Sequence, residues 1–476
     1  MAKISQRRAH IAIAGAGFTG LVCALHLLKA GYQVTLLEAS EHIGGLTGTA
    51  DFKSFRWDRF YHCILTSDHA LIALLERIHL RDQLRWTATE VGFFSHGELH
   101  TMTKPADLLS FPHLSLWDKL RMAAGTIYAA RVCRGARLEN IPLEAWTKQI
   151  FGKRVFQEIW EPLFRCKLGE TRHDASAAFL WGTLRRLYST REKGASKQEK
   201  LGYVRGGYAT VFERLATMVE EGGAQIRTGV RVEQIHASNS SRDGAQGIVG
   251  IKHSDGTEIY DGVILTLPNR LVASCLEPAD SSYREQLGRV QYLGLVCVVL
   301  VLRRQLSPYY VTNITEHSPF TGIIEMTNLI DKDIETSGLH LVYLPRYTIP
   351  DDPLFQASDE ETWKIFEPGL LRIHPDLTQD DIVDRFVFRE RVVQPVPTLE
   401  YSKLVPAART PVRGVYLVNT AQIENNTLNN NVMATLAEIT CNALIADIPA
   451  MAQLKPQIEP TQPALTPVYE HAEGAI

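Results

Sequence analysis

The chain has 476 residues, 45% hydrophobic and 22% charged, with 50 Lys and Arg against 53 Asp and Glu for a formal net charge of −3. That length exceeds one compact core and calls for more than one domain, while the near-neutral balance excludes a basic nucleic-acid surface, so no nucleic acid is expected as a partner. Seven scattered cysteines (23, 63, 133, 166, 275, 297 and 441) without a Cys-X-X-Cys pair exclude a disulfide frame, offer no metal site and fit reduced thiols in a cytoplasmic protein.

The opening, MAKISQRRAH, is basic but enters the first strand without a signal-peptide apolar region, and no apolar run is long enough to span a bilayer. Ile11 to Ala14 is an apolar strand, Gly15, Gly17 and Gly20 form a glycine-rich turn, and an apolar-periodic helix follows to Leu28. Gly31 ends that helix. Gln33 to Leu37 is a second strand, closed by Glu38, 18 residues past Gly20. Strand, turn, helix, strand and terminal acid make a dinucleotide fingerprint. Gly15 permits the sharp turn, Gly17 has no side chain to hold a pyrophosphate away, and Gly20 lets helix and strand approach. The anion meets amide N–H groups at a helix N-terminus, where the dipole favours negative charge. Candidate cofactor contacts are therefore Gly15, Ala16, Gly17, Phe18, Thr19 and Gly20, with Glu38 and Ala39 at the ribose end.

Six residues after Glu38 comes a second glycine pair, Gly44-Gly45, followed by Leu46 and Thr47. With Ala24, Gly31 and Val34 in place, the opening resembles that of the flavin amine oxidase superfamily, which includes protoporphyrinogen oxidases, phytoene-type desaturases and UDP-galactopyranose mutases. The resemblance implies FAD rather than NAD, contacted also by Gly44, Gly45, Leu46 and Thr47. It further implies an α/β fold in which a Rossmann-like FAD-binding domain is interleaved with a mixed-sheet and helical substrate domain. The expected division is 1–90, 203–270 and 401–454 for the FAD-binding domain, 91–202 for a mostly helical cap, 271–400 for the substrate sheet, and 455–476 for a flexible tail rich in Pro, Gln and Glu.

Phe55 to Leu65, FRWDRFYHCIL, alternates aromatic and polar residues and is expected to be extended. In the superfamily an Asp and a His in this place pass near the flavin ring, which Asp58 and His62 match. A packed, hydrogen-bonded His62 is the bland alternative to a catalytic one. Arg59 and Tyr61 are the neighbours expected to face substrate. Asp68 to Leu84 reads as a helix, and Val91 to Thr101 as a hairpin turning at His96-Gly97.

Helical pattern then runs from Lys104 to about Tyr188. Within it, Leu114 to Arg134 is a basic amphipathic segment, of the kind that can lie on a membrane surface; burial of its apolar stripe in the protein's own core is the expected outcome. Phe151 to Glu170 carries Arg165 and Lys167, two cations that suit a substrate carboxylate or phosphate, with plain surface charge as the alternative.

At Gly202 to Ile235 the pattern is glycine pair, helix, glycine pair, strand, and the resemblance makes this a return to the FAD domain, with Val232 offering its backbone to the adenine. A hairpin around Asp255-Gly256 and the strand Gly262 to Pro268 follow. Tyr292 to Leu302 is a buried β-run, with further strands expected at Gly322 to Met326, Leu339 to Leu344 and Val387 to Val392. Tyr343, Arg346 and Tyr401 are candidate cavity-lining polar residues. In Gly414 to Leu444 a strand to Val418 leads through Asn419 and a polar loop to a helix starting near Leu428 to Asn431. By resemblance that loop meets the pyrophosphate and the helix N-terminus, with Leu428 and Asn429, points at the flavin pyrimidine ring.

There is no second GxGxxG, hence no separate nicotinamide domain, and no Lys in Tyr292 to Leu302, which speaks against ordinary amine oxidation. None of the cysteines lies in a flavin-attachment motif, so FAD is expected to bind non-covalently. The expected function is an FAD-dependent oxidase, dehydrogenase or desaturase of a small hydrophobic or prenyl-like substrate, passing electrons to oxygen, a quinone or another carrier. A non-redox flavin isomerase and a non-catalytic binding module are the rival readings, and peripheral membrane contact is compatible with all three.

Overall fold

A computed structural model describes residues 8–104, 106–189, 200–237, 241–242, 245–246, 249–277 and 281–450. The expected tail from 455 lies outside the described residues.

Five parallel strands form the first sheet, in the order Gln225–Arg227, Gln33–Leu37, His10–Ala14, Gly262–Leu265 and Val415–Leu417. Segments separated by some two hundred residues are thus neighbours in one sheet: Ile11 lies beside both Val34 and Gly262. The strand His10–Ala14 is buried throughout, as expected of a parallel strand covered on both faces. Against one face pack the helices Phe18–Lys29, Gly207–Glu221 and Asn430–Asp447, through Leu21, Leu27, Val211, Leu215, Ala437 and Leu444.

A seven-stranded mixed sheet runs Ile382–Pro395, Tyr292–Leu302, His340–Thr348, Gly322–Glu325, Tyr309–Ile314, Glu90–Ser95 and Glu98–Thr101. The apolar run of its second strand, Tyr292–Leu302, is explained by burial on both sides. Leu295, Cys297, Val299 and Val301 join a cluster with Phe52, Trp57 and Tyr343, while Val296, Val298, Leu300 and Leu302 meet Phe320, Trp363 and Phe366. The expected strands at Leu339 to Leu344 and Val387 to Val392 are parts of longer ones.

The expected helix over Asp68 to Leu84 is shorter. It spans His69–Arg77, because His79 adopts a left-handed backbone (φ 58°), and the chain then turns into the strand Leu84–Ala88.

Helices between Asp107 and Ser189 pack around a core of Trp146, Phe151, Ile159, Phe164 and Trp181. One of them, Leu116–Arg131, corrects the sequence reading. Only Lys119, Gly125 and Ala129 are buried, and the apolar stripe faces outward. No helix among the described residues is long and apolar enough to cross a membrane.

Candidate functional site

A cavity of about 710 Å³ runs from the glycine turn and Glu38, past His62 and the start of the last helix, to apolar side chains of the helical layer. Its size falls within the ~300–1,000 Å³ usual for small-molecule sites.

At the first end, Gly15 has φ 106° and its N–H donates to Leu37 O. A Cβ on Gly20 would lie 2.0 Å from Gly15 O, so only glycine lets this helix and turn approach as they do. Gly17 differs: a Cβ there meets nothing closer than Gly45 Cα at 3.6 Å, so the space beside it belongs to the cavity. Gly17 also caps the helix Phe18–Lys29 without a side-chain hydrogen bond, and Phe18 and Thr19 line the cavity at that N-terminus. Gly44 and Gly45 both have positive φ, and Gly44 N–H donates to Ala16 O, which sets the second turn against the first. Leu46 and Thr47 continue the wall.

Glu38 lines the cavity while accepting from Ala16 N–H (2.8 Å) and Ser40 N–H (2.9 Å). An ionised carboxylate has about four acceptor positions, so capacity remains for a diol. Ala16, Gly20 and Ala39 are not on the cavity wall; Ala16 and Gly20 are buried behind it.

Deeper in, His62 is on the wall. Its Nδ1 is 3.6 Å from Asp58 Oδ2, longer than a hydrogen bond, and its ring meets Tyr208 edge-on at 5.1 Å. Asp58 is buried and accepts from Tyr208 N–H at 2.9 Å, which fixes the carboxylate behind the imidazole. Tyr61 also lines the cavity, its hydroxyl 3.1 Å from that of Tyr347; burial and then the Tyr347 neighbour hold its phenol well above the ordinary range, so it stays protonated.

Asn419, Leu428 and Asn429 are on the wall as well. Asn419 is held by bonds from its Nδ2 to Leu267 O (2.7 Å) and Asn269 Oδ1 (2.8 Å). Asn429 caps the helix Asn430–Asp447 by accepting from Val432 N–H, which places the positive end of an 18-residue helix at the cavity. Asn431 turns the other way and caps the helix His69–Arg77 through Ala70 and Leu71 N–H.

Six further sequence-chosen residues are elsewhere. Arg59 donates to Gly45 O at 2.7 Å, bracing the second glycine turn instead of facing substrate. Arg165 is exposed and lies 3.8 Å from Glu161, whereas Lys167 reaches the cavity with Nζ 3.3 Å from the Tyr347 ring centre. Tyr343 is fully buried and donates to Asp58 O; Tyr401 is buried and donates to Ala421 O. Both are core tyrosines, not cavity residues. Val232 pairs with His253 in a separate sheet, and it is Val230 whose N–H reaches Glu38 O, at 2.8 Å. Arg346, also proposed for the wall, is instead near Asp352, at 3.8 Å.

Sequence reasoning missed the pair of half-buried Arg186 with buried Asp68 (3.1 Å) on the wall, where Arg186 also donates to Thr427. These residues come from three distant segments with no motif. It also missed the apolar end, formed by Trp160, Leu163, Phe164, Phe179, Leu180 and Leu295.

A parallel nucleotide-binding sheet, two interlocked glycine turns, a carboxylate at the second strand's end and an apolar chamber in one cavity define the architecture of a dinucleotide-dependent oxidoreductase. The chain belongs to the flavin containing amine oxidoreductase family, whose profile matches residues 18–427. It is therefore a flavin-dependent oxidoreductase. Among relatives, it is 22% identical over 384 residues to a 15-cis-phytoene desaturase from Synechococcus elongatus, covering 75% of this chain and 80% of that one. Two solved structures share its fold. One is a protein assigned as a protoporphyrinogen oxidase from Exiguobacterium sp. 255-15 (TM-score 0.71, 19% identity, 92% and 98% of the two chains). The other is a reduced UDP-galactopyranose mutase (TM-score 0.70, 14% identity, 92% and 94%). At these identities the two structures speak for the fold alone.

Proposed function

We propose that this flavoenzyme binds FAD non-covalently and dehydrogenates an extended, mostly apolar substrate anchored at one polar end. The observation that carries the proposal is the continuity of the cavity from the glycine turn and Glu38 to the apolar wall of Trp160, Phe164 and Phe179. When bound, the flavin supplies the redox chemistry, accepting a hydride from a substrate C–H or C–N bond.

The chain's own residues bind, orient and exclude water. The amides of the Gly17 turn receive the pyrophosphate, and Glu38 accepts from ribose hydroxyls. The N-terminus of Asn430–Asp447 stabilises negative charge at the ring end. The apolar side chains hold the substrate and keep water out, while Lys167 and the hydroxyls of Tyr61 and Tyr347 take its polar end. His62, with Nδ1 3.6 Å from the Asp58 carboxylate, is the group placed to hold or accept a proton; a tautomer with its Nδ1 proton toward Asp58 leaves Nε2 as acceptor. Of the seven cysteines only Cys63 lines the cavity, and acid precipitation is expected to release all flavin from the protein; flavin that stays with the precipitate would contradict the non-covalent assignment.

An isomerase acting on a diphosphate calls for paired cations, but Arg165 is turned away from Lys167's cavity and Arg186, which also lines it, is engaged by Asp68 and Thr427, so the redox reading is better supported. The test is anaerobic mixing of the flavoprotein with long-chain alkenes, prenols and amines. Bleaching of the flavin band by an apolar substrate, reversed by oxygen or a quinone, is expected; bleaching by simple amines alone overturns the substrate assignment.

A further inference from the structure

The outward face of the helix Leu116–Arg131 is unlike the rest of the surface. Trp117 is 73% exposed, Leu116 66% and Leu120 52%, and Ile127, Tyr128 and Val132 continue the stripe to the helix end. Scattered exposed apolar residues are ordinary, but a contiguous line along about 24 Å of one helix is not.

The helix cannot roll to bury this stripe. Gly125, on its opposite face, packs so tightly that a Cβ there would lie 2.9 Å from both Ile150 and Phe151 side-chain atoms. Arg121 further pins it by donating to Gln149 O and Ile150 O. Lys119 donates to Leu109 O, which sets another exposed leucine, Leu109, near the stripe.

Charge decides what covers it. From Lys104 to Arg137 there are six Lys and Arg against two Asp; with Lys119 buried and Arg121 bonded to the neighbouring helix, Lys104, Arg131, Arg134 and Arg137 are the exposed cations that remain. Asp107 is occupied by Thr103 and Lys104 N–H, and Asp118 by the Ser115 capping box. Arg131 and Arg134 are exposed at the helix's end. A second copy of this chain would bring the same net-positive patch against itself. An apolar helix face with Trp and Tyr, flanked by cations, complements the interface of an anionic bilayer.

We infer that the helix Leu116–Arg131 docks this protein on anionic lipid membranes, with Trp117 and Leu120 inserted among the acyl chains. The neighbouring helix Ala177–Ser189 packs against it and also carries Phe179 and Leu180 to the cavity, so one helical layer separates the docking face from the chamber. The inference does not depend on the proposed substrate.

The test is co-sedimentation of the full chain with vesicles of phosphatidylcholine alone or mixed with phosphatidylglycerol, beside sedimentation velocity without lipid. The expected result is binding to the mixed vesicles that weakens with salt and falls roughly tenfold or more in a Trp117→Glu/Leu120→Glu double variant of unchanged circular dichroism. Equal vesicle binding by both proteins overturns the inference, as does no vesicle binding by the wild type. In the latter case, a wild-type dimer that the variant converts to monomer assigns the face to a second copy.

Discussion

The ammonium of Lys167 sits 3.3 Å from the centre of the Tyr347 ring, on the cavity wall. No carboxylate among the described residues lies within ion-pair distance of it. A cation held only by an aromatic face keeps its hydrogen bonds for a ligand oxygen. Lys167→Met is therefore expected to weaken binding of an apolar ligand with a carboxylate or carbonyl end by roughly tenfold to a hundredfold, with flavin content unchanged. Titration with oleate, followed by the flavin spectrum, checks this; dodecylamine is expected to bind the variant no worse than the wild type.

His62→Ala is expected to lower turnover by roughly a hundredfold with little change in flavin content, because the imidazole is the proton-handling group on the wall and touches no cofactor turn. Rapid-mixing measurement of flavin reduction separates this from lost binding. An unchanged reduction rate would leave His62 a packing partner of Tyr208.

Gly17→Val is expected to abolish flavin occupancy while moving the melting temperature of the flavin-free protein little, since its Cβ meets only ordinary contacts at 3.6 Å. Gly20→Ala, whose Cβ would lie 2.0 Å from Gly15 O, is instead expected to destabilise the fold itself, by about 1–3 kcal/mol. Thermal denaturation of both flavin-free variants distinguishes the two glycine roles.

Glu325 is fully buried, and burial raises its carboxyl to about 7 even though it accepts from Leu306 and Ser307 N–H. The folded state thus holds this proton more tightly than the unfolded chain does. The associated stability is fully present below the unfolded value near 4.5 and is lost as pH rises through about 7. His374, pushed down to about 4 by burial, acts in the opposite sense, losing stability as pH falls below about 6.5, so wild-type stability alone mixes the two. The difference between wild type and Glu325→Gln isolates the carboxyl. That difference is expected to shrink by about 3 kcal/mol between pH 4.5 and 8, measured by denaturant melts at each pH.

The nucleotide end of the site was legible because its requirements are local: positive φ at Gly15, close approach at Gly20 and an acid at the end of one strand are all written within 28 residues. The buried strand Tyr292–Leu302 was equally plain, since burial on both faces leaves no polar interruption. Residues whose role depends on the direction of a side chain across distant elements were not. Arg165 and Lys167 are two positions apart on one helix, and that spacing sends one to solvent and the other to the cavity. Tyr343 and Tyr401 carry hydroxyls satisfied inside the core by carbonyls 285 and 20 residues away. The stripe on Leu116–Arg131 has the pattern of a core-facing helix, and only the packing of Gly125 shows that its small face, not its large one, is turned inward.

The central claim, a flavin seated in this cavity as a redox cofactor, is tested most directly by the visible spectrum of the purified protein beside Gly17→Val, recorded anaerobically before and after dithionite and again after adding oxygen or a quinone. A wild type with FAD bands that bleach and return, together with a folded but colourless variant, is the predicted result. A wild type that is colourless and cannot be reconstituted with FAD, or a variant with full flavin occupancy, would contradict it.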